Sequence, residues 1–278
     1  MGATVRAYGS QIHPVFMLPA LAASWFGSIL AVRFSLALGL FHMAAIFFAV
    51  YTAHLKDGYV DFYVRSEDDD HPLTQRGCIL GIACSFGAFL GSLGGLWLLV
   101  DIWAVVLTLP TWFIGFFHAP QLDMNPVTAT AGYPTGIALA ILGGFYSQAE
   151  LLTAVPIAFA AVFLILLCGV KIVDDSKDYE YDRAISKRTV AVVLGRRRAR
   201  TVAYSLLGLA LVVVGWLAAS GVFPPSTIGA ATAFAIVAGF ASRTSSPRLA
   251  TMLLIRGSYV FLALLTIAIW YEPLKALP

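Results

Sequence analysis

Residues 171–194 read KIVDDSKDYEYDRAISKRTVAVVL. Asp174, Asp178 and Asp182 recur every four residues, so on a continuous helix they stack on one face and point three carboxylates the same way. Like charges at that spacing repel, and the repulsion implies a cation held among them. Carboxylate oxygens with room for water suit Mg2+, which binds through one or two carboxylates together with the phosphates of a substrate. The stretch follows directly on an apolar segment, so the spacing predicts an ion site at a membrane surface. The competing reading is a solvated loop with incidental acids, and a second acidic cluster at residues 57–70 counts against it.

The surrounding composition sets the class. Of 278 residues, 59% are hydrophobic and 12% charged, with a mean hydropathy of +0.83. Soluble domains carry about a quarter charged residues, so the chain reads as an all-α integral membrane protein. No basic stretch followed by a cleavage site precedes the first apolar run, and no signal peptide is expected. Cys78, Cys84 and Cys168 lack metal-ligand spacing and read as packing residues. A net charge of +3 argues against a nucleic-acid partner. The basic residues instead cluster where membrane lipid would attract them.

Nine apolar spans of membrane-crossing length are predicted, at about 14–32, 34–55, 78–99, 101–118, 132–149, 152–172, 201–219, 226–242 and 250–270. The glycines of the third, Gly81, Gly87, Gly91, Gly94 and Gly95, predict a close helix contact. No internal boundary interrupts the chain, so residues 1–278 are expected to form a single domain. Of the 18 Lys and Arg residues, all but Arg33 and Lys275 fall in the N-terminal tail, at the loops after spans two and six, or around the loop after span eight. By the positive-inside rule those segments are cytoplasmic in a multi-pass cell-membrane protein, and nine spans leave the C-terminus outside. The acids are equally uneven, since 11 of 15 lie within residues 57–70 and 174–182. Carboxylates gathered at one face of a membrane protein mark an ion site.

The first cluster lies in residues 54–77, HLKDGYVDFYVRSEDDDHPLTQRG. Asp57 and Asp61 share a helix face, the next position in the series is Arg65, and Glu67, Asp68, Asp69 and Asp70 follow before His71-Pro72 ends any helix. Two acidic helix ends facing one another would hold roughly two or three Mg2+, bind a diphosphate and neutralise the charge that grows as it leaves. Lys56, Lys171, Lys177, Arg183, Lys187 and Arg188 are the candidate anion clamp. Each of these cations, taken singly, reads equally well as a positive-inside topology residue.

The second cluster, KIVDDSKDYEYDR followed by SKRTVAVVLG, resembles the second aspartate-rich motif of the UbiA superfamily of intramembrane prenyltransferases. The first resembles that family's Asn-x-x-x-Asp-x-x-x-Asp motif, with Asp57 at the Asn position, Asp61 at the first Asp and Arg65 in place of the second. Either Asp68 or Asp69 substitutes as a ligand, or Arg65 contacts phosphate directly. The resemblance spans the chain and implies a nine-helix bundle with a central cavity open to the cytoplasmic side. It implies a Mg2+-dependent enzyme that ionises an isoprenyl diphosphate and passes the allylic cation to a lipophilic acceptor. Its implied catalytic residues are Asp61, Asp174 and Asp178, and the metal ligands are Asp57, Asp61, Asp68, Asp69, Asp174, Asp178 and Asp182. The diphosphate partners are Lys56, Arg65, Lys171, Lys177, Arg183, Lys187 and Arg188. An apolar cavity keeps the cation from water, and aromatic faces such as Phe113, Phe116, Phe117, Tyr133, Phe145 and Tyr146 stabilise it or simply pack.

The polar segment 118–134, HAPQLDMNPVTATAGYP, adds His118, Asp123, Asn125, Tyr133 and Tyr146 (the last just beyond it) as candidates for an acceptor or cation pocket. Its competing reading is a connecting loop with a helix starting at Pro134. His13, His42 and His54 read as lone packing histidines. Two other functions compete with prenyl transfer. A UbiA-type terpene cyclase would use the same diphosphate site without an acceptor. A transporter would place its acids at the midplane on broken helices, whereas these lie at helix ends on one side.

Overall fold

The computed structural model describes residues 2–271. Lys275, counted above as a residue of the outer side, lies outside the described residues. Every described element is helical. Each of the nine predicted spans overlaps a helix, but among the described residues only six helices are long and apolar enough to cross a membrane: Leu36–Tyr63, Gln75–Leu99, Ile102–Leu122, Ala154–Asp175, Arg196–Ala219 and Pro247–Tyr271. Pro14–Ile29 and Thr227–Arg243 are apolar but shorter. The chain packs as two compact units, Met1–Leu122 with Leu139–Leu152, and Asp123–Ala138 with Thr153–Pro278.

The first unit contains α1 (Gly2–Gly9), α2 (Pro14–Ile29), α3 (Leu36–Tyr63), α4 (Gln75–Leu99), α5 (Ile102–Phe117) and the second half of α6 (Pro126–Ala149). Its helix starts follow local chemistry. Ser35 caps α3 by accepting from Leu38 N, Thr74 caps α4 through Gly77 N at 3.1 Å, and Asp101 caps α5 through Trp103 N and Ala104 N at 2.8 and 3.0 Å. Each cap satisfies a donor that the first turn leaves without a helical partner. Phe89, Leu93, Leu96 and Trp112 form the core with the small residues Ala45, Ala49 and Ala104. Tyr8 donates to Gly77 O and Tyr51 to Tyr8 O, at 2.8 and 2.9 Å, which pins α1 over the start of α4.

The glycine expectation for the third span holds only in part. Gly81 faces Tyr8 and Leu55, and Gly95 faces the Phe41 ring, but Gly87, Gly91 and Gly94 have no described neighbour at a Cβ position. The closest helix approach lies elsewhere, between α2 and the second half of α6. A Cβ at Gly27 would sit 2.0 Å from Ile141 O, and one at Gly144 would sit 2.2 Å from Ser24 O. Both obstacles are backbone, which cannot rotate away. Gly27→Ala and Gly144→Ala should therefore each cost about 1–3 kcal/mol in thermal or denaturant unfolding, by the scale of core overpacking. Gly87→Ala, with open space around it, should be neutral or slightly stabilising, because Ala favours helix over Gly by about 1 kcal/mol. Equal losses at all three positions would show that the α2–α6 contact is not tight.

The second unit contains the first half of α6, α7 (Ala154–Asp175), α8 (Tyr179–Ala184), α9 (Val190–Leu194), α10 (Arg196–Ala219), α11 (Thr227–Arg243) and α12 (Pro247–Tyr271). Phe159 stacks on Phe223 with ring centroids 3.8 Å apart, and Phe261 packs on Phe163 and Phe234. Gly169 admits α10, since a Cβ there would meet Ala203 O at 2.8 Å.

Three predicted boundaries move. α3 runs on to Tyr63, eight residues past the predicted end, because Lys56, Asp57 and Asp61 sit on a helix that leaves the apolar region. Residues 118–134 are not a plain loop with a helix start at Pro134. A π-type turn spans His118–Leu122, and α6 begins at Pro126, where proline is compatible with a first helical turn and Asn125 Oδ1 accepts from Val127 N at 2.9 Å. The largest correction concerns residues 174–182. Asp174, Asp178 and Asp182 do not stack on one continuous helix, because α7 ends at Asp175 and α8 starts after Asp178. Ser176 donates to Ile172 O at 2.8 Å at the break. A serine bonded back to the preceding turn competes with helix continuation, and the break relieves the repulsion that the stacked acids would suffer.

Candidate functional site

In the second unit, the break between α7 and α8 gathers acids and lysines alternately. The Lys171 ammonium pairs with Asp175 Oδ1 and lies 3.8 Å from Asp174 Oδ2. Lys177 lies 2.5 Å from Asp174 Oδ1 and 3.7 Å from Asp178 Oδ2. Lys187 lies 3.5 Å from Asp182 Oδ1 and 3.7 Å from Asp123 Oδ2. The Lys187 backbone also donates to Asp182 O at 2.8 Å, which fixes the return of the chain after α8. Asp123, Asp175 and Asp182 are buried, whereas Lys177, Asp178, Arg183 and Arg188 are exposed. The structure thus brings Asp174, Asp178, Asp182, Lys171, Lys177 and Lys187 into one region and joins Asp123 to it. Arg183 and Arg188 lie on its solvent side. Arg196 pairs with Glu180 at 3.5 Å and covers the Tyr179 ring.

Burial raises the pKa of the Asp182 carboxyl. The Lys187 ammonium opposes that shift, and the carboxylates of Asp175 and Asp178 add to it. A bound cation would relieve the same penalty. Asp175 supplies a second sign of cation affinity, for its Oδ2 is buried without a hydrogen-bond partner. A buried carboxylate oxygen left in that state costs free energy that a cation can return. The donor chemistry therefore fits a hard divalent ion. Among the described residues, no three His, Cys, Asp or Glu side chains converge closely enough to enclose an ion, because ammonium groups stand between the acids.

The sequence reading missed Asp175. The four-residue spacing of Asp174, Asp178 and Asp182 drew attention to one stripe, and Asp175 lies outside it. Its signal was its place at the end of a long apolar run, where a carboxylate on the inward face has no water to meet.

In the first unit, Asp57 and Asp61 share a face of α3 as expected from their spacing. Arg65, just past the helix, lies 3.8 Å from Asp61 Oδ1 and 3.8 Å from Glu67 Oε1. Glu67 N donates to Asp61 O at 2.7 Å, so the chain turns back on the helix end. This brings Glu67 to Arg65, while Asp68 and Asp69 are exposed on the following bend. Lys56 lies over the Phe116 and Tyr59 rings, with centroids at 4.9 and 5.8 Å.

The acceptor candidates separate. His118 lies on the turn after α5, at the same end of the unit as Lys56 and Asp61. Tyr146 donates to Asp101 Oδ2 at 2.6 Å, at the opposite end of α5. That bond lowers the pKa of the Asp101 carboxyl and serves the α5 cap. Asp123, Asn125 and Tyr133 belong to the second unit, where Asp123 meets Lys187 and Asn125 caps α6.

No protein-family model matches the chain, and no curated protein matches it in sequence. Solved structures do match. The chain is similar to digeranylgeranylglyceryl phosphate synthase at 13% identity and a TM-score of 0.73, over 96% of this chain and 98% of that one. It is similar to a UbiA homologue from Archaeoglobus fulgidus bound to GPP and Mg2+ at 18% identity and a TM-score of 0.71, over 96% and 99% of the two chains. A UbiA homologue from Aeropyrum pernix K1, without ligand, matches at 14% identity and a TM-score of 0.68, over 91% and 98%. The fold is therefore that of the UbiA homologues, and the chain is a multi-pass membrane protein of that architecture.

Proposed function

We propose that the chain is a Mg2+-dependent intramembrane prenyltransferase of the UbiA superfamily, a single domain over residues 1–278. It ionises an isoprenyl diphosphate and transfers the prenyl group to a lipophilic acceptor. One observation supports this most directly. In a fold shared with a protein bound to GPP and Mg2+, acids at the end of a membrane helix alternate with lysines around a buried carboxylate oxygen that lacks a partner.

Asp174, Asp178 and Asp182, with Asp175, are the proposed metal ligands of the second cluster, and Asp57 and Asp61 those of the first. When bound, Mg2+ supplies positive charge at the oxygens of the leaving diphosphate. The remaining roles fall to side chains. Lys171, Lys177 and Lys187 hold the carboxylates ready and turn to phosphate oxygens as the substrate arrives. Arg65 holds its guanidinium beside Asp61 and keeps its charge at any working pH, so it serves the diphosphate without acting as a ligand. The apolar helices take the prenyl tail and exclude water from the cation.

The test is incubation of purified protein with labelled geranyl diphosphate, Mg2+ and membrane lipid extract, followed by mass analysis. A prenylated adduct formed with diphosphate release supports transfer. A product with prenyl carbons alone would replace transfer by cyclisation. Solute uptake without diphosphate release would replace both by transport.

The orientation is also proposed. Residues 57–76 and 172–200 face the cytoplasm. Ser66 and Ser186 are exposed, so Ser66→Cys and Ser186→Cys in intact cells should resist a membrane-impermeant maleimide and react after permeabilisation. Labelling from outside would invert the topology.

A further inference from the structure

The first unit brings together three histidines that are far apart in the chain. His13, the residue before α2, and His54 of α3 have ring centroids 5.0 Å apart. His118, on the turn after α5, lies within electrostatic reach of His54. His13 and His54 therefore do pack, as expected, but against each other's rings and not as lone histidines. His54 is half-buried and His13 is exposed.

The position of His54 gives this cluster its meaning. On α3, residues 54, 57, 61 and 65 fall at i, i+3, i+7 and i+11, so His54 shares a face with Asp57 and Asp61. At 1.5 Å per residue it lies about 4–5 Å from Asp57 and about 10 Å from Asp61 along the axis, toward the middle of the helix. A diphosphate held at Asp57 and Asp61 would place the carbon it leaves, and any attacking acceptor, on the His54 side. An acceptor attacking there would release its proton beside His54, which can serve as a base in its neutral form. The C1–O bond breaks with its electron pair leaving on diphosphate. The acceptor's oxygen or ring carbon forms the new bond to C1, and its proton must go to a basic atom within reach, either an oxygen of the departing diphosphate or a side chain with a free lone pair. Asp57 and Asp61 are committed to metal in the proposed site, and Lys56 carries no lone pair when charged.

We infer that His54 accepts the proton released by the prenyl acceptor and passes it to His13 at the surface, with His118 completing the cluster. This inference rests on the prenyl-transfer reading. The relay follows from the placement: His54 at 5.0 Å from His13, and His13 exposed. The Phe16 ring packs beside His54, with centroids 6.4 Å apart.

The experiment uses the full chain in detergent with labelled geranyl diphosphate, Mg2+ and membrane lipid extract, and counts both diphosphate released and label in adduct. In His54→Gln, diphosphate release should persist within about threefold, while the adduct falls by about 10²-fold, the lower range for loss of a general base. The released label should then appear as prenyl alcohol. His54→Ala should regain adduct when imidazole is added, and His13→Gln should show a smaller loss. An unchanged adduct fraction in His54→Gln overturns the inference. So does a parallel loss of release and adduct that imidazole does not restore. Absence of diphosphate release by the unaltered protein overturns the prenyl-transfer reading itself, and this inference with it.

Discussion

Asp178→Ala should lower diphosphate release from labelled geranyl diphosphate by about 10²–10³-fold, the scale for removing one preorganised charge-stabilising group, with little change in unfolding temperature. The two halves of that expectation have different sources. Asp178 is exposed, with 53% of its side chain accessible, and its contact with Lys177 is 3.7 Å. An exposed ion pair contributes about 0–1 kcal/mol, so the fold does not depend on it. A ligand that neutralises the leaving group matters most in the transition state, so the loss should appear in kcat and not only in KM. Asp61→Ala and Asp174→Ala should show losses of similar size. Asp182→Ala is a poorer test, because Asp182 is buried at 2% accessibility and its removal disturbs packing as well. Near-normal turnover in Asp61→Ala, Asp174→Ala and Asp178→Ala would remove the proposed metal site.

Lys171→Met should destabilise the protein by about 3–5 kcal/mol, since breaking a buried pair from one side leaves an uncompensated charge. Asp175 is only 4% accessible and its other oxygen already lacks a partner. Removing the ammonium leaves the whole carboxylate without a counter-charge. Adding Asp175→Asn to Lys171→Met should return most of the loss, because the second change removes the orphaned charge. Added Mg2+ should raise the unfolding temperature of Lys171→Met more than that of the unaltered protein, as a divalent ion replaces the missing cation. A Lys171→Met protein of normal stability would mean that water reaches Asp175. A stability loss that Mg2+ leaves untouched would separate this carboxylate from the metal.

These expectations draw unequally on the sequence and on the fold. Hydropathy alone located the stretches that became α2 to α7 and α10 to α12, because a helix facing lipid must be apolar over most of its length whatever its neighbours are. The two acidic clusters were equally legible, since carboxylates are scarce elsewhere in the chain. Local reading failed where a charge had to find its counter-charge. The four-residue rhythm of Asp174, Asp178 and Asp182 predicts one helical face, yet the chain breaks after Asp175, and the residue that then lies buried is the one outside that rhythm. The meeting of Lys187 with Asp123 joins residues 64 positions apart, and no spacing rule reaches that far. His13, His54 and His118 show the same limit. Each is a single imidazole at the end of an apolar run, and only the packing of α2, α3 and the turn after α5 brings them together. What the sequence determined by itself was where lipid and water meet along the chain, because that depends on each segment's own transfer free energy. Which charges and imidazoles face one another was decided by the tertiary structure, because those energies fall steeply with distance and the distances are set by helix packing.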